Sequence, residues 1–232
     1  MTRALITQRP INEDHPEMSN SPRPILITGF EPFAGRGRNP SGEIVRAIGD
    51  AWQGKDLVAE VLPVEYAAAG ERLQRLIREW NPRAWLGFGL HQKATAIVLE
   101  RIAFNLDDAT IPDNAGELRR GLQIQPDGPD CYRSTLPLGT IESRLAQENI
   151  PLTHSDSAGR FVCNHVFYRG LSALSETKSG APAGFIHLPW PCDWPSAERS
   201  PHSVTFMRIR QAVELCASTV LQQTPTQKIV AT

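Results

Sequence analysis

The chain has 232 residues, of which 41% are hydrophobic and 21% charged, which excludes a disordered or fibrous protein. Lys and Arg number 24 and Asp and Glu 25, so a net charge of −1 gives no electrostatic case for nucleic acid or for a strongly acidic chain. No apolar run approaches the roughly 18 residues of a membrane-spanning helix, and the length favours one large domain with a sizeable core.

Residues 1–23 are polar and carry three prolines with no apolar period, so they are expected to be a flexible tail or an extension upstream of a true start at Met18. Ile25 to Thr28 is a β-branched run ending at Gly29 and reads as a buried strand. A Gly-rich loop follows. Asn39 then offers a helix cap, with Pro40 at the first helical position. Ile44, Val45, Ile48 and Trp52 form one face of that helix. Leu57 to Val64 reads as a second strand. Leu73, Leu76, Ile77 and Trp80 recur at helical spacing, and Asn81-Pro82 stops the helix.

Ala84 to Leu90 reads as a third strand and Ala96 to Asn105 as a fourth. Residues 106–138 are rich in Asp, Gly and Pro and read as long loop or irregular hairpin. Ile141 to Gln147 is a short helix. Gly159 precedes a helix bearing Val166, Phe167, Leu171 and Leu174, and Gly184 to Leu188 is a last short strand. Ser200-Pro201 opens a terminal helix with Ile209, Ala212, Val213, Cys216 and Val220 on one face. Strands alternating with helices imply a layered α/β domain with a mainly parallel sheet.

The cysteines are Cys131, Cys163, Cys192 and Cys216. None forms a CxxC pair, and the spacing fits no zinc site. Ala4-Leu5-Ile6 is too short for the apolar stretch of a secretory signal, so a reduced, cytoplasmic protein is expected. No metal or cofactor is implied.

Cys163 is the most informative residue. It lies at the start of a helix, where peptide dipoles favour a thiolate. A nucleophile and a buried structural cysteine are both open readings. Cys216 lies on an apolar helix face and reads as core. His187 ends a buried strand, where active sites open in α/β folds. His165, two residues after Cys163, would be turned away from it. Glu100 interrupts an apolar strand, so its carboxylate needs a partner. Together Cys163, His187 and Glu100 have the chemical types of a thiol triad: attacking sulfur, proton shuttle and orienting carboxylate. Gly35-Arg36-Gly37-Arg38 is a possible phosphate cradle, but it lacks a P-loop pattern and reads better as an ordinary turn. GxSxG and HExxH are both absent.

Four blocks of sequence resemble one known family. They are ITGFEPFAGRGRNPS at 27–41, LERIAFNLDDATIPDN at 99–114, SDSAGRFVCNHVFY at 155–168 and FIHLPW at 185–190. In content, order and spacing they resemble the pyroglutamyl peptidase I (pyrrolidone-carboxylate peptidase) family of cysteine peptidases. The resemblance implies one three-layer α/β/α domain over residues 24–222, phosphorylase- or hydrolase-like, with a twisted, mixed, mostly parallel sheet and a tail over 223–232. It implies removal of an N-terminal 5-oxoproline from peptides, with Cys163 as nucleophile, His187 as acid and base, and Glu100 orienting the imidazole. By analogy Phe30, Phe33, Ile111, Phe161 and Val162 line the lactam pocket. A homodimer or homotetramer is expected, and no cofactor.

This chain departs from the family pattern in places. Thr110 stands where many bacterial members have an arginine proposed to assist at the oxyanion. Ala34 replaces a glycine, Val98 a Ser or Thr, and Leu90-His91-Gln92 replaces smaller residues near the expected pocket wall. These departures keep open a relative that binds a lactam end without turnover; the family fold's resemblance to nucleoside phosphorylases and the basic, Gly-rich Gly35–Arg38 keep open a phosphate-dependent transferase.

Overall fold

The computed structural model describes residues 23–177, 179–195 and 204–224. The expected tails at the two ends, His15 and His202 fall largely or wholly outside them. Arg23 itself belongs to the fold, donating to the carbonyl oxygens of Asn81 at 2.6 Å and Pro82 at 2.8 Å.

Strand β1 (Ile25–Phe30) lies between β2 (Leu57–Leu62) and β3 (Ala84–Leu90), parallel to both. Strand β8 (Ala183–Leu188) continues the parallel set beside β3. Strand β4 (Ile97–Glu100) then runs antiparallel to β8, with β7 (Leu152–Ser155) parallel to it at the edge. The order is β2-β1-β3-β8-β4-β7, a mixed and mostly parallel sheet. The central strands are buried on both faces, which is why β1 and β3 read as nearly continuous apolar runs.

Helices cover both faces. Helix α1 (Pro40–Ala51), α3 (Leu138–Gln147) and α5 (Phe206–Gln223) pack with Ile25, Ile27, Leu86 and Ile186 on one side. Helix α2 (Tyr66–Trp80) and α4 (Val162–Glu176) pack with Leu26, Trp85 and Phe185 on the other. The result is a three-layer α/β/α domain. Asn39 caps α1 by accepting from the Ser41 N–H at 3.1 Å, with Pro40 in the first turn.

Some local expectations need correction. Trp52 lies past the end of α1 and is exposed, and Trp80 is exposed at the end of α2, so neither completes an apolar face. The stretch 96–105 is two strands. After β4 the chain leaves the main sheet, and β5 (Ile102–Phe104) pairs antiparallel with β6 (Cys131–Arg133). Asn164 of α4 holds that exit, bonding the N–H and carbonyl of Phe104 and the carbonyl of Leu106. Strand β7 was not anticipated. Helix α5 opens at Phe206 under a Thr205 cap, whereas Ser200-Pro201 lies outside the described residues.

Candidate active site

Strands β1, β3 and β8 all end at the same edge of the sheet, and helix α4 begins there. Phe30, Leu90 and His187 at these strand ends meet Val162 and Cys163 around a cavity of about 330 Å³. This is where the loops of an open α/β sheet leave room for a ligand.

Sheet register brings the polar groups together. Val98 of β4 opposes His187 of β8, and Glu100 opposes Phe185. Glu100 is therefore the diagonal neighbour of His187 on the same face. The His187 Nδ1–H donates to Glu100 Oε1 at 2.7 Å, and both side chains are almost fully buried. Arg101, next in sequence, takes no part: it makes a two-pronged pair with Asp156.

With Nδ1 engaged, Nε2 remains for Cys163, which lines the same cavity as His187. Burial alone would lower the His187 pKa. The hydrogen bonds to Cys163 and Glu100, with the charges of both, outweigh burial and raise it to about 9. The imidazole is thus protonated at neutral pH. Cys163 is half-buried in the first turn of α4, and no side chain caps that turn. Phe161, Val162 and Cys163 at that helix start line a cavity also bounded by Ser157, Ala158 and Gly159.

Gly89 of β3 pairs with His187 in the parallel register. A Cβ at Gly89 would meet Cys163 Sγ at 2.9 Å and the Phe185 ring at 2.8 Å. The glycine makes the space in which the sulfur approaches the sheet.

Phe30, Phe33, Phe161 and Val162 line the cavity, and the Phe33 and Phe161 rings lie 6.0 Å apart. Ile111 does not join them; it is 42% exposed and off the cavity wall. The loop carrying it is folded on itself by the Asp107–Leu122 bridge and by Asp113, whose carboxylate accepts from the N–H groups of Tyr66, Ala115 and Glu117. Thr110 is likewise exposed and off the wall. Val64, His91, Gln92 and Lys93 also line the cavity. Nothing in the sequence marks Val64, which reads as the end of the second strand although β2 stops at Leu62, or Lys93, which sits in a turn just past β3.

The Gly-rich loop does not form a phosphate cradle. Arg36 stacks over Trp190, and Arg38 stacks over Trp194 while pairing with Glu43. His165 is turned from the cavity, as its helical position requires, and its Nδ1 meets the buried Asp107 at 2.8 Å. Cys216 is core, and burial pushes its thiol pKa up to about 12. Among the described residues no cluster of His, Cys, Asp and Glu could hold a metal ion, and no helix is long and apolar enough to cross a membrane.

A thiol in the first turn of α4, beside a buried imidazole–carboxylate pair carried by β8 and β4, is an arrangement of the cysteine-hydrolase type. The profile of the pyroglutamyl peptidase family, Peptidase C15, matches residues 23–223. The chain belongs to that family. The pyrrolidone-carboxylate peptidase of Klebsiella pneumoniae is 37% identical over 206 residues, 88% of this chain and 96% of the relative. Pyrrolidone-carboxylate peptidase 1 of Caldanaerobacter subterraneus is 38% identical over 166 residues, 72% of this chain and 82% of the relative. The crystal structure of Bacillus amyloliquefaciens pyroglutamyl peptidase I superposes with a TM-score of 0.80 at 33% identity, covering 85% of this chain and 96% of that one. A variant pyrrolidone carboxyl peptidase from Pyrococcus furiosus also superposes at 0.80 and 33% identity, covering 87% and 99%.

Proposed function

We propose that this protein is a cysteine exopeptidase that removes an N-terminal pyroglutamyl residue from peptides through a thioester. The observation that carries the reading is the buried Glu100–His187 pair, whose imidazole shares the wall of an apolar cavity with Cys163. A pyroglutamyl group is a small neutral lactam without a free amine. It suits walls made by Phe30, Phe33, Phe161 and Val162.

Cys163 attacks as the thiolate, the nucleophilic form of a cysteine. The thiolate attacks the pyroglutamyl carbonyl carbon, and the oxyanion forms at the uncapped start of α4, where the Cys163 N–H can donate. The C–N bond breaks as His187 gives its Nε2 proton to the leaving amine. The shortened peptide departs with a free N-terminus, and the acyl group remains on sulfur. Neutral His187 then takes a proton from water, and the hydroxide attacks the thioester. Breaking the C–S bond frees 5-oxoproline and restores the thiolate–imidazolium pair. Glu100 holds the Nδ1–H tautomer through both halves. A reduced compartment and a homo-oligomeric assembly belong to the same reading.

Peptides beginning with pyroglutamate provide the test, with proline-initiated counterparts as controls and products identified by mass spectrometry. The expected result is free 5-oxoproline and a peptide shortened by one residue, from the pyroglutamyl series alone. An unchanged pyroglutamyl peptide in the presence of folded, reduced protein would overturn the reading.

A further inference from the structure

We propose that the turn His91–Lys93 binds a carboxylate on the residue that leaves, so that the favoured substrates carry a negative charge next to the scissile bond. This inference deepens the peptidase reading and rests on it.

The position of the turn follows from the chemistry. His187 protonates the leaving nitrogen, so the leaving residue must pass beside its ring. The His91 ring stands edge-on to the His187 ring, with centroids 5.5 Å apart and planes at 82°. The His91 N–H donates to the Leu188 carbonyl at 2.9 Å, and the Ala94 N–H returns to the His91 carbonyl at 3.0 Å. The turn is therefore fixed to the end of the strand that carries His187. In this inference the phenylalanine walls take the lactam and the turn takes the leaving residue.

Its charge is one-sided. His91, Gln92 and Lys93 all line the cavity, and no Asp or Glu does. Glu100 lies behind His187 and is engaged at Nδ1. Among the described residues no carboxylate pairs with Lys93. The Lys93 charge reaches His91, whose own pKa is held below its ordinary value by burial first and then by His187. His91 thus adds no negative charge beside an unpaired ammonium. A leaving residue that reaches this turn meets the Lys93 ammonium with no competing carboxylate on the cavity wall, and a carboxylate is its complement. Two substrates supply one at short range. A pyroglutamyl dipeptide has its free α-carboxylate two bonds from the scissile nitrogen, and a longer peptide has an acidic side chain at the second position.

Four substrates separate these sources: pyroglutamyl-alanine with its amide, and pyroglutamyl-aspartate amide with pyroglutamyl-asparagine amide. The reading is the ratio of kcat/KM within each pair, so a general loss of activity in a variant cancels. Wild type is expected to favour the charged member by about three- to fivefold at low salt, the range of an exposed ion pair. High salt should shrink the ratio. Lys93→Gln, which keeps most of the stem, and Lys93→Ala should both bring it to about one, and Lys93→Glu below one. The pair that responds identifies the source. A wild-type ratio of one in both pairs, or a preference that survives Lys93→Gln, overturns the proposal. Cleavage of none of the four by wild type overturns the peptidase reading and this inference with it.

Discussion

The sulfur of Cys163 sits where a side chain on Gly89 would have to be: an added Cβ would come within 2.9 Å of Sγ and 2.8 Å of the Phe185 ring. The Cys163 thiol is thus placed by a residue on another layer of the fold. Gly89→Ala is expected to cost about 1–3 kcal/mol through overpacking. Its larger effect falls on catalysis, because displacing the sulfur by about 1 Å lowers kcat/KM by as much as about 10²-fold. Urea denaturation and steady-state kinetics on the same preparation check both. A variant that loses stability but keeps wild-type kcat/KM would show that the sulfur does not depend on this gap.

His187 carries the pH dependence. Its pKa rises from 6.5 to about 9 in the folded protein. The free enzyme should lose kcat/KM as pH passes through about 9, where the imidazolium that protonates the leaving amine disappears. The same shift acts on stability. Below 6.5 the imidazole is protonated folded or unfolded, and its contribution is fully present. As pH rises toward 9 the folded state holds a proton that the unfolded state has released, so the contribution declines and is lost above that. Glu100→Gln removes one of the groups that raise this pKa. It should move the alkaline limb to lower pH and reduce the rate by roughly 10²–10⁴-fold. An alkaline limb unmoved in Glu100→Gln would contradict the pairing.

Ala34 stores strain. It has φ 52°, followed by Gly35 at φ 70°, and the Arg36 N–H closes the turn on the Phe33 carbonyl at 3.1 Å. Both central residues have positive φ, as in a type I′ turn, and alanine occupies that region at a cost. Ala34→Gly should stabilise the protein by about 0.5–1 kcal/mol, net of the added freedom of the unfolded chain. A lower denaturation midpoint in the variant would show that the strain is absent.

Asp107 is fully buried and joins three segments. It accepts from Arg119 at 2.9 Å and meets His165 Nδ1 at 2.8 Å, tying the loop after β5 to the helix that carries Cys163. Asp107→Ala leaves two partners without their acceptor and should cost about 3 kcal/mol. Chemical denaturation measures it. A change within about 0.5 kcal/mol, the range of ordinary surface substitutions, would mean the cluster is energetically silent.

How far the sequence reaches depends on whether the cause is local. β1, β3, α1 and α4 are legible because apolar period, the Asn39 cap and the Gly159 break act within a few residues. β7 is not: Leu-Thr-His-Ser is a polar edge segment that becomes a strand only beside β4. The break between β4 and β5 is set by Asn164, about 60 residues downstream. The three polar residues of the site are legible as chemical types, and the four blocks give them roles. Their meeting depends on the β4–β8 register, which no short-range pattern encodes. Ile111 was placed on the pocket by analogy. The fold of its own loop, held by Asp113 and the Asp107–Leu122 bridge, turns it to solvent. His91 and Lys93 owe their place to one turn fixed on the Leu188 carbonyl.

The central claim is that Cys163 is the nucleophile of a pyroglutamyl peptidase. Release of the fluorophore from a pyroglutamyl-coumarin amide in reducing buffer tests it most directly, with wild type beside Cys163→Ser and Cys163→Ala and melting temperatures recorded for all three. Turnover by wild type alone, with melting temperatures nearly equal, is the predicted result. Residual turnover in the variants together with a large fall in melting temperature would contradict it and make Cys163 a structural residue.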